Sequence, residues 1–303
     1  MALGVKKFMK VLTEASGSLS SGFIINSIKQ AGFQAVGSDI TEINAGSIVC
    51  DDYIQFLPTS DDNLWLDVKY KLIKHQVEVV LPCLDDMLLD WTQQVWLKEC
   101  NIALIASPAS TLSIFLDKWK AYQFFEQNDV RTPRTSLQQV YRLLKPRRGR
   151  GGKGIIETTD PFEMHDYISQ QKIHGVEYTI DVLCDKSGQP LYILPRKRLG
   201  VIAGKSTQGE LVNNRQIINE VERICRLIHF VGPVNFQCIE NELGVFFIEI
   251  NPRLASGMAL SFAATNNWVE QIINHIVKDY PIDIQPVKWG MKMFRSYQEL
   301  YVR

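Results

Sequence analysis

Short apolar runs alternate with stretches of helical spacing through the first hundred residues. Phe8 to Thr13 reads as a strand and Glu14 to Gly22 as a small-residue loop, with a helix to about Gln30 and a second strand from Gln34 to Gly37. Leu64 to His75 has helical spacing, and Val77 to Pro82 suits a buried parallel strand. Leu88 to Glu99 predicts another helix and Ile102 to Ala106 another strand. Strands alternating with helices predict a doubly wound, Rossmann-like α/β domain. The loop Ala15 to Gly22 lies beyond the carboxyl end of the first strand, where such sheets bind ligands. It lacks the dinucleotide spacing, however, and reads as a strand-to-helix turn.

Ser107-Pro108 marks a boundary, after which Ser110 to Gln127 is helical and Asn128 to Pro133 is a turn. The pattern then becomes mostly strands: Tyr141 to Lys145, Ile155 to Thr158, Glu177 to Cys184, Leu191 to Arg198, Pro233 to Ile239 and Val245 to Asn251. Helices are expected at Asp160 to Ser169, Asn214 to His229 and Trp268 to Lys278. This second part is α+β.

Composition narrows the classes. The 303 residues carry 33 Lys+Arg against 33 Asp+Glu, so no global field recruits nucleic acid or an anionic membrane. Six cysteines without a C-x-x-C pair read as reduced thiols, and five scattered histidines argue against zinc. No apolar run approaches the ~20 residues that span a bilayer, and no signal-peptide pattern opens the chain. A soluble, cytoplasmic protein is expected.

Candidate chemistry concentrates in a few segments. On a strand, Phe246 to Arg253 (FFIEINPR) places Phe247, Glu249 and Asn251 on one face, with Phe246, Ile248 and Ile250 on the other. Glu249 and Asn251 are hard oxygen donors suited to Mg²⁺ held together with phosphates, and Arg253 offers a planar fork to an anion. Lys145 to Ile155 combines five cations with four glycines in eleven positions, the composition of a phosphate-contacting loop. Gly149, Gly151 and Gly154 match G-x-G-x-x-G literally. A following strand at Ile155-Ile156, in place of a helix, points instead to a glycine-rich hairpin flap. Lys145 ends an apolar strand, and Lys118 stands near a helix start. Glu177, Thr179 and Asp181 share a face, and Gln237 sits in an apolar strand that hairpins onto the one bearing Glu249.

Leu116-Asp117-Lys118, LLKPRRGRGGKG, DYISQQKIHGVEYTIDV, GPVNFQCI and FFIEINPR occur in that order, and together they resemble the ATP-grasp superfamily, in particular its carbamoyl-phosphate-synthase-like single-chain ligases. The resemblance spans nearly the whole chain and implies three parts: a pre-ATP-grasp α/β domain (1–108), a small ATP-grasp subdomain with the flap (109–171), and a large subdomain with metal and acceptor sites (172–303). It implies that ATP is held by Lys118, Lys145, Arg148, the flap glycines Gly149, Gly151, Gly152 and Gly154, the hinge Gln170, Gln171, Lys172 and Ile173, and Glu177 at the ribose. Gln237, Glu249 and Asn251 would hold Mg²⁺, with Mn²⁺ as a substitute, and Arg253, Lys145 and Arg198 would be the catalytic set. The implied reaction is phosphoryl transfer from ATP to a carboxylate, followed by attack of an amine or another nucleophile, with ADP and phosphate released. Arg196, Lys197, Arg198, Lys205 and the loop Leu254 to Met258 would meet an anionic acceptor. Homo-oligomerisation is left open.

Three departures stand out. Only about ten residues separate Thr135 from Lys145, where the family inserts a helix and a strand, so the small subdomain looks trimmed. The hinge reads Gln170-Gln171-Lys172 where relatives often carry Glu. Gln237 replaces a carboxylate used by many ligases, although Gln is usual in the carbamoyl-phosphate-synthase-like branch. The competing readings are a non-catalytic ATP-binding or regulatory protein and, further off, an NAD-dependent oxidoreductase.

Overall fold

The computed structural model describes residues 8–18, 21–149, 151–202, 205–296 and 298–302, with the side chains of 201, 202, 205 and 206 outside that description. Two compact units divide the chain. One comprises Met1–Ala106, Asn267–Asp283 and Tyr297–Arg303, and the other Ser107–Asn266 with Ile284–Ser296.

The first unit runs β1 (Lys10–Thr13), α1 (Ser21–Gln30), β2 (Gln34–Asp39), α2 (Ala45–Val49), β3 (Asp52–Gln55), α3 (Leu64–Lys74), β4 (Val79–Leu81), α4 (Asp85–Trp91), α5 (Trp96–Glu99) and β5 (Ala103–Leu104). Its five strands are all parallel, in the order β3-β2-β1-β4-β5. Leu12, Val36, Ile54 and Val80 project into one apolar core with Leu72 and Trp91. The loop after β1 is tied down by its own contacts. Ser16 N–H donates to Ser38 O at 3.0 Å, and Gly17 N–H donates to Asp39 Oδ2 at 3.0 Å. The buried Glu14 carboxylate accepts from Trp91 Nε1 at 2.6 Å. The expected helix over Leu88 to Glu99 is two helices, interrupted at residues 92–95, where Thr92 Oγ1 turns back to Leu89 O at 2.6 Å.

The second unit begins with α6 (Ala109–Phe115) and α7 (Lys118–Gln127), where one helix was expected. Asp117 causes the break, because its carboxylate accepts from Trp119 N–H at 2.9 Å and caps a new helix. There follow β6 (Thr135–Ser136), β7 (Leu143–Pro146), β8 (Ile156–Glu157), β9 (Tyr167–Gln170), β10 (Val176–Cys184), β11 (Pro190–Ile202), β12 (Lys205–Leu211), α8 (Arg215–Leu227), β13 (Gly232–Asn241), β14 (Gly244–Asn251), a 3₁₀ turn (Ser256–Met258) and α9 (Ala259–Ala264). After α10 (Trp268–Lys278), which belongs to the first unit, β15 (Lys292–Phe294) completes the second. Two antiparallel sheets result, β6-β9-β7-β8 and β14-β13-β10-β11-β12-β15. No described helix is long and apolar enough to cross a membrane.

The helix expected over Asp160 to Ser169 does not form. Residues 158–166 are irregular and Tyr167–Gln170 is a strand, because pairing on both sides with β6 and β7 outweighs a local pattern that offers no continuous apolar face. Residues 137–142 are irregular too. Leu144 of β7 is fully buried, and Ser169 straps residues 138–141. Its hydroxyl accepts from Val140 N–H (3.1 Å) and Tyr141 N–H (3.3 Å) and donates to Gln138 O (2.5 Å).

Candidate functional site

The large sheet builds its polar face rung by rung. In antiparallel pairs directly opposed residues point the same way. Glu249 lies opposite Gln237, Gln237 opposite Thr179, and Thr179 opposite Arg196. On the next rung Asn251 faces Asn235, which faces Asp181. Strict alternation would also put Phe247 on this polar face. The register instead shifts between Gln237 and Cys238, so Ile248 is an extra residue and Phe247 turns over to the core. A β-bulge of this kind re-aims side chains. Phe247, 1% exposed, packs with Phe236 and with Phe125 of α7, at centroid distances of 6.4 and 6.3 Å. That contact holds the strand bearing Glu249 against the helix that begins with Lys118.

Lys118 lies at the head of α7. Its ammonium is 3.8 Å from Glu249 Oε1 and donates to Gly149 O at 2.9 Å. Its backbone N–H donates to Arg147 O at 2.9 Å, while the Arg147 guanidinium forks onto Asp117 at 2.6 and 3.3 Å. Burial would raise the Asp117 carboxyl, but the Arg147 hydrogen bond and the cap outweigh it and hold the group below its usual range. The base of the glycine run is thereby clamped to α7.

The small sheet supplies Lys145. Its ammonium donates to Gln170 Oε1 at 2.7 Å, and Gln170 Nε2 donates to Thr135 Oγ1 at 3.0 Å. Burial pushes the Lys145 ammonium below the ordinary lysine value. The Lys118 charge adds to that shift, while Glu249 and Glu177 oppose it. Lys118, Lys145, Glu177 and Glu249 therefore share one electrostatic neighbourhood.

Between β7 and β8 the glycine run joins two antiparallel strands and opens no helix, so it is not a dinucleotide turn. Gly149, Gly151, Gly152 and Gly154 all have positive φ. At Gly154, φ is +78° and a Cβ would lie 2.9 Å from Pro146 Cγ, so only glycine fits there. Arg148 is exposed, and Arg150 lies outside the described residues.

Other expected site residues are placed as follows. Gln171, Lys172 and Ile173 follow β9, but Gln171 N–H already donates to Arg134 O (2.8 Å) and Lys172 Nζ donates to Glu157 (2.8 Å). Glu177 is ion-paired with Arg198. Arg253 Nη1 donates to Leu254 O at 3.1 Å, and Nη2 lies 3.4 Å from Asn251 Oδ1. Arg196 is not a free cation for a substrate: it is 1% exposed and forks onto Asp181 at 3.3 and 3.4 Å. The Lys205 side chain is outside the described part.

Several polar residues at the site were not expected from sequence. Asp117, Arg147 and Thr135 fasten the lysines, and Asn235 and Ser261 complete the Asp181 shell at 2.8 and 2.7 Å. Arg295 donates to Ser256 O beside Arg253. For the Asp181 shell the available signal was an acid in an otherwise apolar strand one rung away from Arg196 on the neighbouring strand, because unpaired it would be costly.

A divalent ion would find one carboxylate, Glu249, with the carboxamide oxygens of Gln237 and Asn251. No hydrogen bond among the described residues commits the Gln237 carboxamide. Among those residues no three His, Cys, Asp or Glu side chains cluster as a metal site, so most of such an ion's remaining ligands would be phosphate or water. The donor set fits Mg²⁺ shared with a nucleotide.

The family model of the ATP-grasp domain matches residues 115–257, just under half of the chain. Three solved structures share the fold. A biotin carboxylase from Campylobacter jejuni in complex with β,γ-ATP has a TM-score of 0.70 at 16% identity, covering 92% of this chain and 73% of that one. The biotin carboxylase domain dimer of a 2-oxoglutarate carboxylase from Hydrogenobacter thermophilus, with MgADP, ADP and bicarbonate, gives 0.71 at 16%, covering 95% and 74%. An L-amino acid ligase from Bacillus licheniformis gives 0.67 at 15%, covering 90% and 75%. No curated protein matches by sequence. The segment that matches the ATP-grasp domain contains both lysines, the glycine flap, and the Gln237, Glu249 and Asn251 donors.

Proposed function

We propose that this chain is an ATP-dependent, ADP-forming carboxylate–amine ligase of the carbamoyl-phosphate-synthase-like branch. The observation that carries the reading is the meeting of Lys118, Lys145 and Glu249, from three different elements, beside the uncommitted Gln237 carboxamide. Two cations, one carboxylate and a neutral oxygen donor suit a magnesium triphosphate.

In this reading Lys118 and Lys145 bind phosphates, the flap Gly149 to Gly154 with Arg148 covers them, and Glu177 receives the ribose. Gln170, with the hinge Gln171 to Ile173, borders the base; the Gln171 N–H, taken by Arg134, leaves carbonyls and the other N–H groups to read it. Gln237, Glu249 and Asn251 would hold Mg²⁺, which neutralises charge on the phosphate oxygens. A carboxylate oxygen attacks the γ-phosphorus, the bond to the β,γ-bridging oxygen breaks, and ADP leaves. The nucleophile's lone pair then attacks the acyl carbon, the acyl C–O bond breaks, phosphate departs with that electron pair, and the amine's proton goes to solvent. Arg253 and Arg198 lie on the acceptor side. Positioning and charge neutralisation do most of this work, and no Ser–His or Cys–His nucleophile is needed.

The same reading takes the parallel-sheet unit as a Rossmann-like pre-ATP-grasp domain, keeps the three-part division at 1–108, 109–171 and 172–303, and places the enzyme in the cytoplasm. One observation favours a second reading, a non-catalytic ATP binder: segments 137–142 and 158–166, which connect the strands of the small sheet, are irregular and not helical.

A carboxylate library with hydroxylamine as surrogate amine separates the two. Hydroxamate and ADP formed together, only when a carboxylate is supplied, support the ligase. Stabilisation by MgATP without turnover supports the binder, and stabilisation by NAD but not MgATP overturns both.

A further inference from the structure

Asp181 and Arg196 take no part in the phosphoryl transfer proposed above, yet they form the most thoroughly buried ion pair described in the chain, with side chains 0% and 2% exposed. Asp181 accepts from Arg196 twice, from Asn235 and from Ser261 of α9, so the acid is satisfied. Arg196 is not. Its Nη1 is buried without a hydrogen-bond partner. Buried ion pairs are poor stabilisers compared with apolar residues of the same volume, and an orphaned N–H worsens the comparison.

Geometry offers a reason for the arginine. A Cβ on Gly257 would lie 2.0 Å from Arg196 Nη2, 2.5 Å from Cζ and 2.8 Å from Nη1, so the guanidinium lies against the Gly257 backbone. A Cβ on Gly209 would lie 3.1 Å from Arg196 Cγ and Cδ, so the stem runs past a second glycine. Neither glycine has a positive φ; closeness alone requires them. Gly257 belongs to the segment that follows Arg253, and the same segment is held by Arg253 through Leu254 O and by Arg295 through Ser256 O.

Resting on the ATP-ligase reading, we propose that Arg196 is a positioning residue: fixed by Asp181, it is the plate on which Leu254 to Met258 sits, and that seat sets where Arg253 meets the transferred phosphoryl group. Arg196 touches no substrate itself. A plate acting only on the γ-phosphate contact leaves binding of ADP intact.

The test compares dissociation constants for MgADP and for a magnesium complex of a non-hydrolysable ATP analogue, alongside thermal midpoints, in the full chain and in Arg253→Ala, Arg196→Met, Arg196→Lys and Gly257→Ala. The expected result is at least tenfold weaker binding of the analogue with ADP within about threefold of wild type, in Arg196→Met and Gly257→Ala as in Arg253→Ala. The double variant Arg196→Met/Gly257→Ala should be no worse than Arg196→Met, because methionine leaves room for the new Cβ. Arg196→Lys keeps the charge but not the plate, and should lose discrimination while folding. Variants that melt earlier yet still discriminate like wild type would reduce the pair to a structural role and overturn the proposal. A wild-type chain that binds neither nucleotide would overturn the ATP reading and this one with it.

Discussion

Lys145 donates to the Gln170 carboxamide oxygen at 2.7 Å, so the ammonium at the centre of the site is hydrogen-bonded to a neutral group. Glu249 and Glu177 act on it only as charges, and Lys118 repels it. The arrangement leaves the cation without a carboxylate hydrogen bond among the described residues, a state that phosphates would relieve in the proposed reading.

Lys145→Met should therefore separate stability from function. In the unfolded chain the lysine has its ordinary pKa, while in the fold it is lowered. The cost of burying the charge is thus fully present at neutral pH and fades as pH rises through the lowered value. Removing it should raise the thermal midpoint by ~2–4 °C while turnover falls at least about a hundredfold. Calorimetry beside an ADP-release assay checks both directions.

Nucleotide affinity should carry the same signature. Phosphates favour the charged lysine, so MgATP binding should be strongest below the lowered Lys145 value and decline as pH rises through it, earlier than an ordinary lysine would allow. Titration calorimetry from neutral pH upward should show the decline in wild type setting in below the ordinary lysine range. In Glu249→Gln it should move to lower pH, because that carboxylate pulls the lysine upward, and in Lys145→Arg it should flatten.

Asp117 anchors both the helix that begins at Lys118 and the arginine preceding the flap. Its folded pKa is depressed, so its contribution is present above the unfolded carboxylate value and is lost as pH falls through the folded one. Asp117→Ala removes a cap and leaves Arg147 without its acid, and should cost about 2–4 kcal/mol in urea unfolding at neutral pH. A loss below about 0.5 kcal/mol would show that the clamp is not rigid.

Ser169 stands in for missing helices. Ser169→Ala removes the acceptor of the Tyr141 N–H and leaves the Val140 N–H with Gln138 O alone, and should cost about 1–3 kcal/mol. Because Gln170 is the next residue, MgATP binding should weaken as well. Unchanged affinity would mean the strap serves stability alone.

Much of this was legible in the chain. The alternation of apolar runs predicts four of the five parallel strands of the first unit and passes over β3, and the expected bounds Trp268 to Lys278 are those observed, with Asn267 as the cap. Lys118, Lys145, Gln237 and Glu249 were identified as individuals and the fold brings them together. What escaped depended on partners distant in sequence. Tyr167 to Gln170 became a strand only because β6 and β7 flank it. Phe247 changed faces through a bulge that no period-two count contains. Arg196 reads as a substrate contact in the sequence because its acid, fifteen positions away, sits on the neighbouring strand.

The most direct measurement follows oxygen. With the carboxylate returned by the hydroxylamine screen labelled with ¹⁸O, phosphate released during turnover should carry one labelled oxygen per molecule, since the carboxylate oxygen attacks phosphorus and leaves with it. Glu249→Ala should release none above background. Phosphate free of label in the wild-type reaction would mean that water, not a carboxylate, attacks ATP, and would contradict the ligase account.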